Sequence, residues 1–145
     1  MVVFRDYEES DQAACLAIFD ANCPEFFAPN ERDDYLLFLD ANTPGYKVCT
    51  SDQEVKGAYG IYPLGEGVIC LNWILLDPRA QGLGIGSAIM AEVMKSAQSA
   101  GVASIQIAAS HKSAPFFGRF GALEIKTTEH GWGKDMHRVD MEISV

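Results

Sequence analysis

Leu71-Asn72-Trp73-Ile74-Leu75-Leu76-Asp77-Pro78-Arg79-Ala80-Gln81-Gly82-Leu83-Gly84-Ile85-Gly86-Ser87 sets the architecture of the chain. An apolar run breaks at Asp77-Pro78 and returns as a glycine-rich turn that opens a helix. Glycine lets backbone approach a ligand with no β-carbon in the way. The first N–H groups of a helix have no intrahelical partner and carry the positive end of its macrodipole. Strand, glycine turn and helix start together therefore suit an anion, phosphate above all.

Spacing narrows the choice of phosphate compound. A nucleotide-hydrolysing loop ends in Gly-Lys-Ser/Thr, so that the lysine reaches the terminal phosphates. Here Ser87 follows Gly86, and no lysine follows the turn until Lys95. A dinucleotide-binding turn needs an acidic residue about 20 positions on, yet no Asp or Glu lies between Glu92 and Glu124. What remains is Gln/Arg-x-x-Gly-x-Gly/Ala, met by Gln81 to Gly86 and, in a shifted frame, by Arg79 to Gly84. A second block, Ser110-His111-Lys112-Ser113-Ala114-Pro115-Phe116-Phe117-Gly118-Arg119-Phe120-Gly121-Ala122, loosely matches Asn-x-x-Ala-x-x-Phe-Tyr-x-x-x-Gly-Phe and keeps its Phe-aromatic-x-x-x-Gly core. On these residues the chain resembles the GNAT superfamily of acyl-CoA-dependent N-acyltransferases. Pro78, the strand ahead of the turn and the helix behind it sit where that family puts them, with Gln81 first in the frame.

Charge supports an anionic ligand independently. Residues 1–77 carry 14 acids and 4 bases, residues 78–123 carry 1 acid and 4 bases, and residues 124–145 carry 5 acids and 3 bases, within a net charge of −9. The glycine turn lies in the only basic segment, while the acidic remainder favours a cationic partner such as an amine, or serves solubility alone. Nucleic acid would be repelled, and no basic-aromatic stripe offers it a surface. The 145 residues read as one domain, 1–145, long enough for one core without staples. Asp6 comes too early for a secretory h-region, and no apolar run is long enough to span a bilayer. The expectation is a soluble, cytoplasmic protein. Cys15, Cys23, Cys49 and Cys70 show no metal-binding spacing and read as small buried residues in a reducing compartment, with no metal.

Read in order, Val2-Val3-Phe4 is a first strand, followed by a helix carrying Ala14, Cys15, Ile18 and Phe19 to a core. Residues 22–30 form an irregular loop whose Phe26 and Phe27 either pin it to the core or, with Glu25, make a lid over an amine. Glu31 to Asp40 is a second helix, with Tyr35, Leu36 and Leu39 at helical spacing. Strands follow at Tyr46–Cys49 and Val55–Tyr62, and Pro63 to Gly67 reads as a turn. Val68 to Leu76 is too uniformly apolar for a one-face strand and belongs mid-sheet, with Trp73 in the core. Ile85 to Ala100 is a helix, Val102 to Ala109 a buried parallel strand, Pro115 starts a short helix, and Ala122–Thr128 with Met136–Ile143 form a last hairpin. The fold class is thus α/β (α+β): a mixed central sheet of about seven strands flanked by helices.

The resemblance implies more. In the family the strand before the turn and the strand after the helix splay apart, and the pantetheine arm of the cofactor enters the gap. By residue, this carries backbone contacts with pantetheine to Ile74, Leu75 and Leu76, and a pyrophosphate cradle to Gln81, Gly82, Leu83, Gly84, Ile85, Gly86 and Ser87. Ser110, Ser113 and Phe116 border the arm, Ser110 standing where an asparagine is common. His111 and Lys112 come near phosphate or adenine. Leu76 N–H is the oxyanion donor. At the family's tyrosine acid stands Phe117, and at the glutamate of histone-type members stands Cys70. The remaining base candidates are Glu25, His137 and Asn72, the last holding a water, with Tyr35 and Trp132 as walls. The implied activity is transfer of an acetyl group from acetyl-CoA to a primary amine of a small molecule or protein by direct attack in a ternary complex. The alternatives are a non-catalytic acyl-CoA-binding or sensor module of the same fold and a CoA-independent interaction protein. The last hairpin could pair two copies into a homodimer.

Overall fold

The nine residues Val68–Leu76 form strand β4, and every other element is placed by it. The structure is a computed structural model that describes residues 2–80 and 82–145. In chain order the elements are β1 (Val2–Asp6), α1 (Gln12–Ala21), α2 (Glu31–Asp40), β2 (Tyr46–Ser51), β3 (Glu54–Gly65), β4, α3 (Ile85–Ser99), β5 (Ser104–Ser110), α4 (Ala114–Gly118), β6 (Leu123–Gly133) and β7 (Met136–Ser144). The strands make one sheet in the order β1-β2-β3-β4-β5-β7-β6. β4 runs antiparallel to β3 and parallel to β5, which gives the mixed seven-stranded sheet expected from the sequence.

Both faces of β4 are covered, and this is why its sequence is apolar without alternation. On one face, Cys15, Ile18 and Phe19 of α1 and Tyr35 and Leu39 of α2 pack on Val48, Ala58 and Leu75. On the other, Ile85, Ile89, Met90, Val93 and Ala97 of α3 pack on Tyr59, Ile69, Leu71, Ile105 and Ile107. Leu71 thus faces α3 and Leu75 faces α1 and α2. A strand repeats its faces every two residues, so these two odd positions can oppose each other only if a residue is inserted between them. The insertion is a β-bulge. Ala58 pairs with Leu75 but Gly60 pairs with Asn72, and Trp73 takes the left-handed conformation at φ 45°. Trp73 accordingly leaves the strict core and is half-buried, 4.8 Å from the Tyr35 ring.

Two other differences from the sequence reading are local. β3 runs through Pro63, which pairs with Ile69, so the turn contracts to Glu66 and Gly67. A register shift between Pro63 and Gly65 accommodates a residue that has no N–H to give the ladder. β6 runs from Leu123 to Gly133, past the expected end at Thr128; it is the sheet edge and is exposed from Leu123 through Gly131, with Leu123 and Ile125 among the exposed apolar side chains. Among the described residues no helix is long and apolar enough to cross a membrane.

Candidate active site

β4 and β5 pair only over Val68–Leu71 and Ser104–Ile107. Past that point β4 continues to Leu76 on β3, and β5 continues to Ser110 on β7. A wedge therefore opens between two parallel strands, with its apex at Leu71 and Ile107 and its mouth at Leu76. The bulge at Trp73 bends β4 where the pairing ends, as an extra residue in one strand does. Asp77 N–H donates to the Lys56 carbonyl across β3 at 2.8 Å. Strand alternation then turns the backbone groups of Leu76 and Ile74 the other way, into the gap. The Leu76 carbonyl shows this direction, accepting from Asn22 Nδ2 at 2.9 Å. Asn22 Nδ2 also donates to the Ile18 carbonyl at 2.8 Å, so one buried side chain fastens the end of α1 to the mouth of the gap.

At that mouth lies the glycine turn. Gly82 and Gly84 sit at φ 87° and 72°, and no atom stands within 4 Å of where a β-carbon would be on either. Gly84 is the N-cap of α3 and supplies no side-chain cap. Serine or aspartate there would answer an unpartnered N–H with its own oxygen, whereas glycine leaves the first-turn donors to a ligand. Gly86 has a different reason. A β-carbon on it would stand 2.8 Å from Phe116 Cε1 and 3.2 Å from Leu76 Cδ1, so its absence lets α4 and the mouth of the gap close on the helix start. Arg119 follows, its guanidinium 5.6 Å from the Phe116 ring centroid, and brings a cation to the same end. The open cradle, uncapped helix and unpaired strand edges fit an elongated ligand with a phosphate end and a peptide-like arm. Gln81 lies outside the described residues. Leu83 is exposed, Ile85 is buried against the sheet and Ser87 is exposed on the first turn of α3.

Ser110 and Ser113 close the turn between β5 and α4 on each other. Each backbone N–H donates to the other's hydroxyl at 3.1 Å, so they offer the gap the shape of that turn. Phe117 is buried in the α3-side core. Cys70 is half-buried, and burial pushes its thiol up, away from a proton acceptor. Glu25 is exposed on the loop between α1 and α2. Of the two readings of that loop, Phe27 supports pinning: its ring stacks on Phe19 at 4.9 Å and approaches Trp73 at 6.3 Å. Tyr35 is not a wall, because it is fully buried. Its hydroxyl meets that of Tyr46 at 2.8 Å, and Tyr46 donates to the Trp73 carbonyl at 2.7 Å, holding the bulge from behind.

Trp132 ties the last hairpin down. Its Nε1 donates to the Ala109 carbonyl at 2.8 Å, and its carbonyl accepts from Asn30 Nδ2 at 2.8 Å. The Arg138 guanidinium lies 5.0 Å over its ring. His137, a base candidate, has its Nδ1 occupied by His130 N–H at 3.0 Å, and its own N–H donates to His111 Nδ1 at 3.1 Å. The histidines are thereby built into the hairpin, and His111 is engaged there. Among the described residues no cluster of His, Cys, Asp or Glu is arranged to hold a metal ion.

Sequence reasoning missed Asn22, Tyr46 and Arg119. An asparagine at a helix end reads as an ordinary terminus, and nothing in the sequence says that its amide reaches a strand 54 residues on. Asn22→Ala is expected to destabilise by roughly 1–3 kcal/mol, because it strips a buried donor from two carbonyls. A chemical melt with an unchanged midpoint would show that the two bonds contribute nothing.

Comparison with known proteins agrees with this geometry. The family model described as Acetyltransferase (GNAT) family matches residues 15–122. A GNAT-family protein from Desulfovibrio desulfuricans is 25% identical, with 99% of each chain covered and a TM-score of 0.77. The ribosomal-protein-S18-alanine N-acetyltransferase from Escherichia coli shares the fold at 16% identity and a TM-score of 0.79, with 100% of this chain and 94% of that one covered. Rv2747 from Mycobacterium tuberculosis, solved in complex with CoA, does so at 17% identity and a TM-score of 0.74, with 99% of each chain covered. No curated protein matches the sequence. With the family model spanning most of the chain, and a splayed β4–β5 pair leading to an uncapped glycine turn, the chain belongs to the acetyltransferase (GNAT) family.

Proposed function

We propose that the protein is an N-acetyltransferase that moves the acetyl group of acetyl-CoA to a primary amine by direct attack in a ternary complex. The observation that carries this reading is the wedge between β4 and β5, whose mouth opens onto the uncapped start of α3. Gly82 through Ser87 take the pyrophosphate, with Gln81 as the family's first cradle residue. Ile74, Leu75 and Leu76 pair with the arm as a strand would, while Ser110, Ser113 and Phe116 form its other border.

Acetyl-CoA supplies the activated acyl carbon and a thiolate leaving group. The chain's part is to hold, orient and stabilise. The arm runs from the mouth back toward the apex, so Leu76 N–H and then Ile74 N–H line its path as donors to a developing oxyanion. Holding amine and thioester in line contributes roughly 7–11 kcal/mol to lowering the barrier. No acid is required at Phe117, since a thiol with a pKa near ~8.5 leaves as thiolate near neutrality. The proton released by the amine passes to ordered water near Asn72 or to Glu25 at the loop. The free cysteines support a reducing, cytoplasmic setting.

Phe117 and Cys70 also favour a second reading, a non-catalytic acyl-CoA-binding or sensor module. Thiol release from acetyl-CoA in the presence of a panel of small amines and peptides separates the two. Amine-dependent release at more than background rate is expected. Binding of acetyl-CoA with no release on any amine would leave the sensor.

A further inference from the structure

Where α3 ends, a crevice of about 260 Å³ opens between helix and sheet. Lys47 of β2, Tyr59 and Ile61 of β3 and Ile69 of β4 make its floor, and Ser96 of α3 with Ala100, the C-cap, makes its roof. This is the end of α3 away from the glycine turn. At a rise of 1.5 Å per residue, Ser96 and Ala100 lie roughly 16–22 Å along the helix from Ile85.

The floor carries a polar group that the fold leaves unused. Tyr59 is 2% exposed, and its hydroxyl makes no hydrogen bond among the described residues. Burial, with Glu92 and Cys49 nearby, pushes that hydroxyl up to about 12, so it stays neutral. A buried tyrosine hydroxyl ordinarily finds a partner, and an orphan calls for an explanation. Among the described residues, the unpartnered side-chain oxygens cut off from solvent are those of Tyr7, Tyr62 and Asn72. The Tyr59 oxygen is not sealed in this way, and its opening is the crevice that the residue lines. Phe4 packs edge-on against the Tyr59 ring at 6.0 Å and fixes its aim.

Charge and size decide what fits. Lys47 stands between Asp6 of β1 and Tyr59 of β3 in the ladder, and its ammonium is paired with Asp6. Glu92 and the negative end of the α3 dipole disfavour an anion, while Lys47 disfavours a cation. A cavity of about 150 Å³ lined by apolar side chains holds benzene, so about 260 Å³ has room for one ring and a short substituent.

We propose that the crevice is a second ligand site, which takes a small neutral aromatic alcohol. The ring lies against Ile61, Ile69 and Ala100, and the ligand hydroxyl bonds to that of Tyr59. The site is separate from the β4–β5 wedge and does not depend on the acetyltransferase reading.

The test uses the full chain with benzyl alcohol, toluene and benzoate as probes. Proton–nitrogen spectra should show the amides of Ile61, Ile69, Ser96 and Ala100 moving saturably with benzyl alcohol, and about tenfold more weakly with toluene or benzoate. Tyr59→Phe keeps the ring and removes only the unpartnered oxygen. It should hold the Tm, weaken benzyl alcohol about tenfold and leave toluene where it was. Ala100 is exposed at the helix end, and Ala100→Leu should fill the crevice and abolish the movement for every probe. Equal binding of benzyl alcohol and toluene, saturation unchanged by either variant, or movement centred on residues 74–87 in place of these four amides would overturn the proposal. So would a clear fall in the Tm of Tyr59→Phe, which would make the phenol a structural group.

Discussion

Gly84→Asp is expected to leave the fold standing and remove the response to acetyl-CoA. Gly84 is in the left-handed region at φ 72°, which aspartate tolerates better than other side chains. No atom within 4 Å obstructs its β-carbon. The added carboxylate would sit at the uncapped start of α3, where the reading places two phosphate charges. At an effective dielectric near 20, like charges a few ångströms apart repel by several kcal/mol, so affinity should fall at least about a hundredfold. Gly84→Asn, nearly the same shape without charge, should lose far less. Isothermal titration with acetyl-CoA on both variants checks this. Equal affinities for Asp and Asn would mean that no phosphate comes to this turn.

Glu31→Gln should stabilise the protein at pH 8 and do little at pH 4.5. Glu31 is buried near the start of α2. Burial pushes its carboxyl up from 4.5 to about 7, the Ala28 N–H bond at 2.8 Å pulls the other way, and Asp34 adds a like charge. The folded state therefore binds this proton more tightly than the unfolded state. Stability falls as pH rises through the window from about 4.5 to about 7. Above it, the fold carries a desolvated charge worth about 2–3 kcal/mol of destabilisation. Glutamine keeps the oxygen that accepts from Ala28 N–H and removes the charge. Denaturant melts of both proteins at the two pH values should show a gap that opens only at high pH. A constant difference would place the effect elsewhere.

The sequence was most legible where local rules act alone. The unbroken apolar run of β4, the glycine turn and the amphipathic stripe of α3 follow from period, turn chemistry and helix ends, and they stand where expected. The site was only partly legible, because one inserted residue at Trp73 reverses which positions of β4 face which helix layer. Alternation therefore could not tell that Leu71 faces α3 while Leu75 faces α1 and α2. Tyr35 shows a related limit: helical spacing tells that a residue faces inward, but not whether it lines a pocket or fills a core. The splay of β4 and β5 was implied by family resemblance alone, since strand periodicity carries no sign of where two parallel strands part. His111, His130 and His137, scattered in sequence, interlock through backbone donors and ring contacts that no side-chain pattern announces.

Acetyl-CoA binding in the β4–β5 wedge is tested by a thermal melt with acetyl-CoA, NAD and ATP in parallel. A ligand at a hundred times its Kd adds about 2.7 kcal/mol, which for a domain of this size raises Tm on the order of 5–10 °C. That rise is expected with acetyl-CoA and none with NAD or ATP. No rise at millimolar acetyl-CoA would contradict it, leaving the glycine turn as architecture alone.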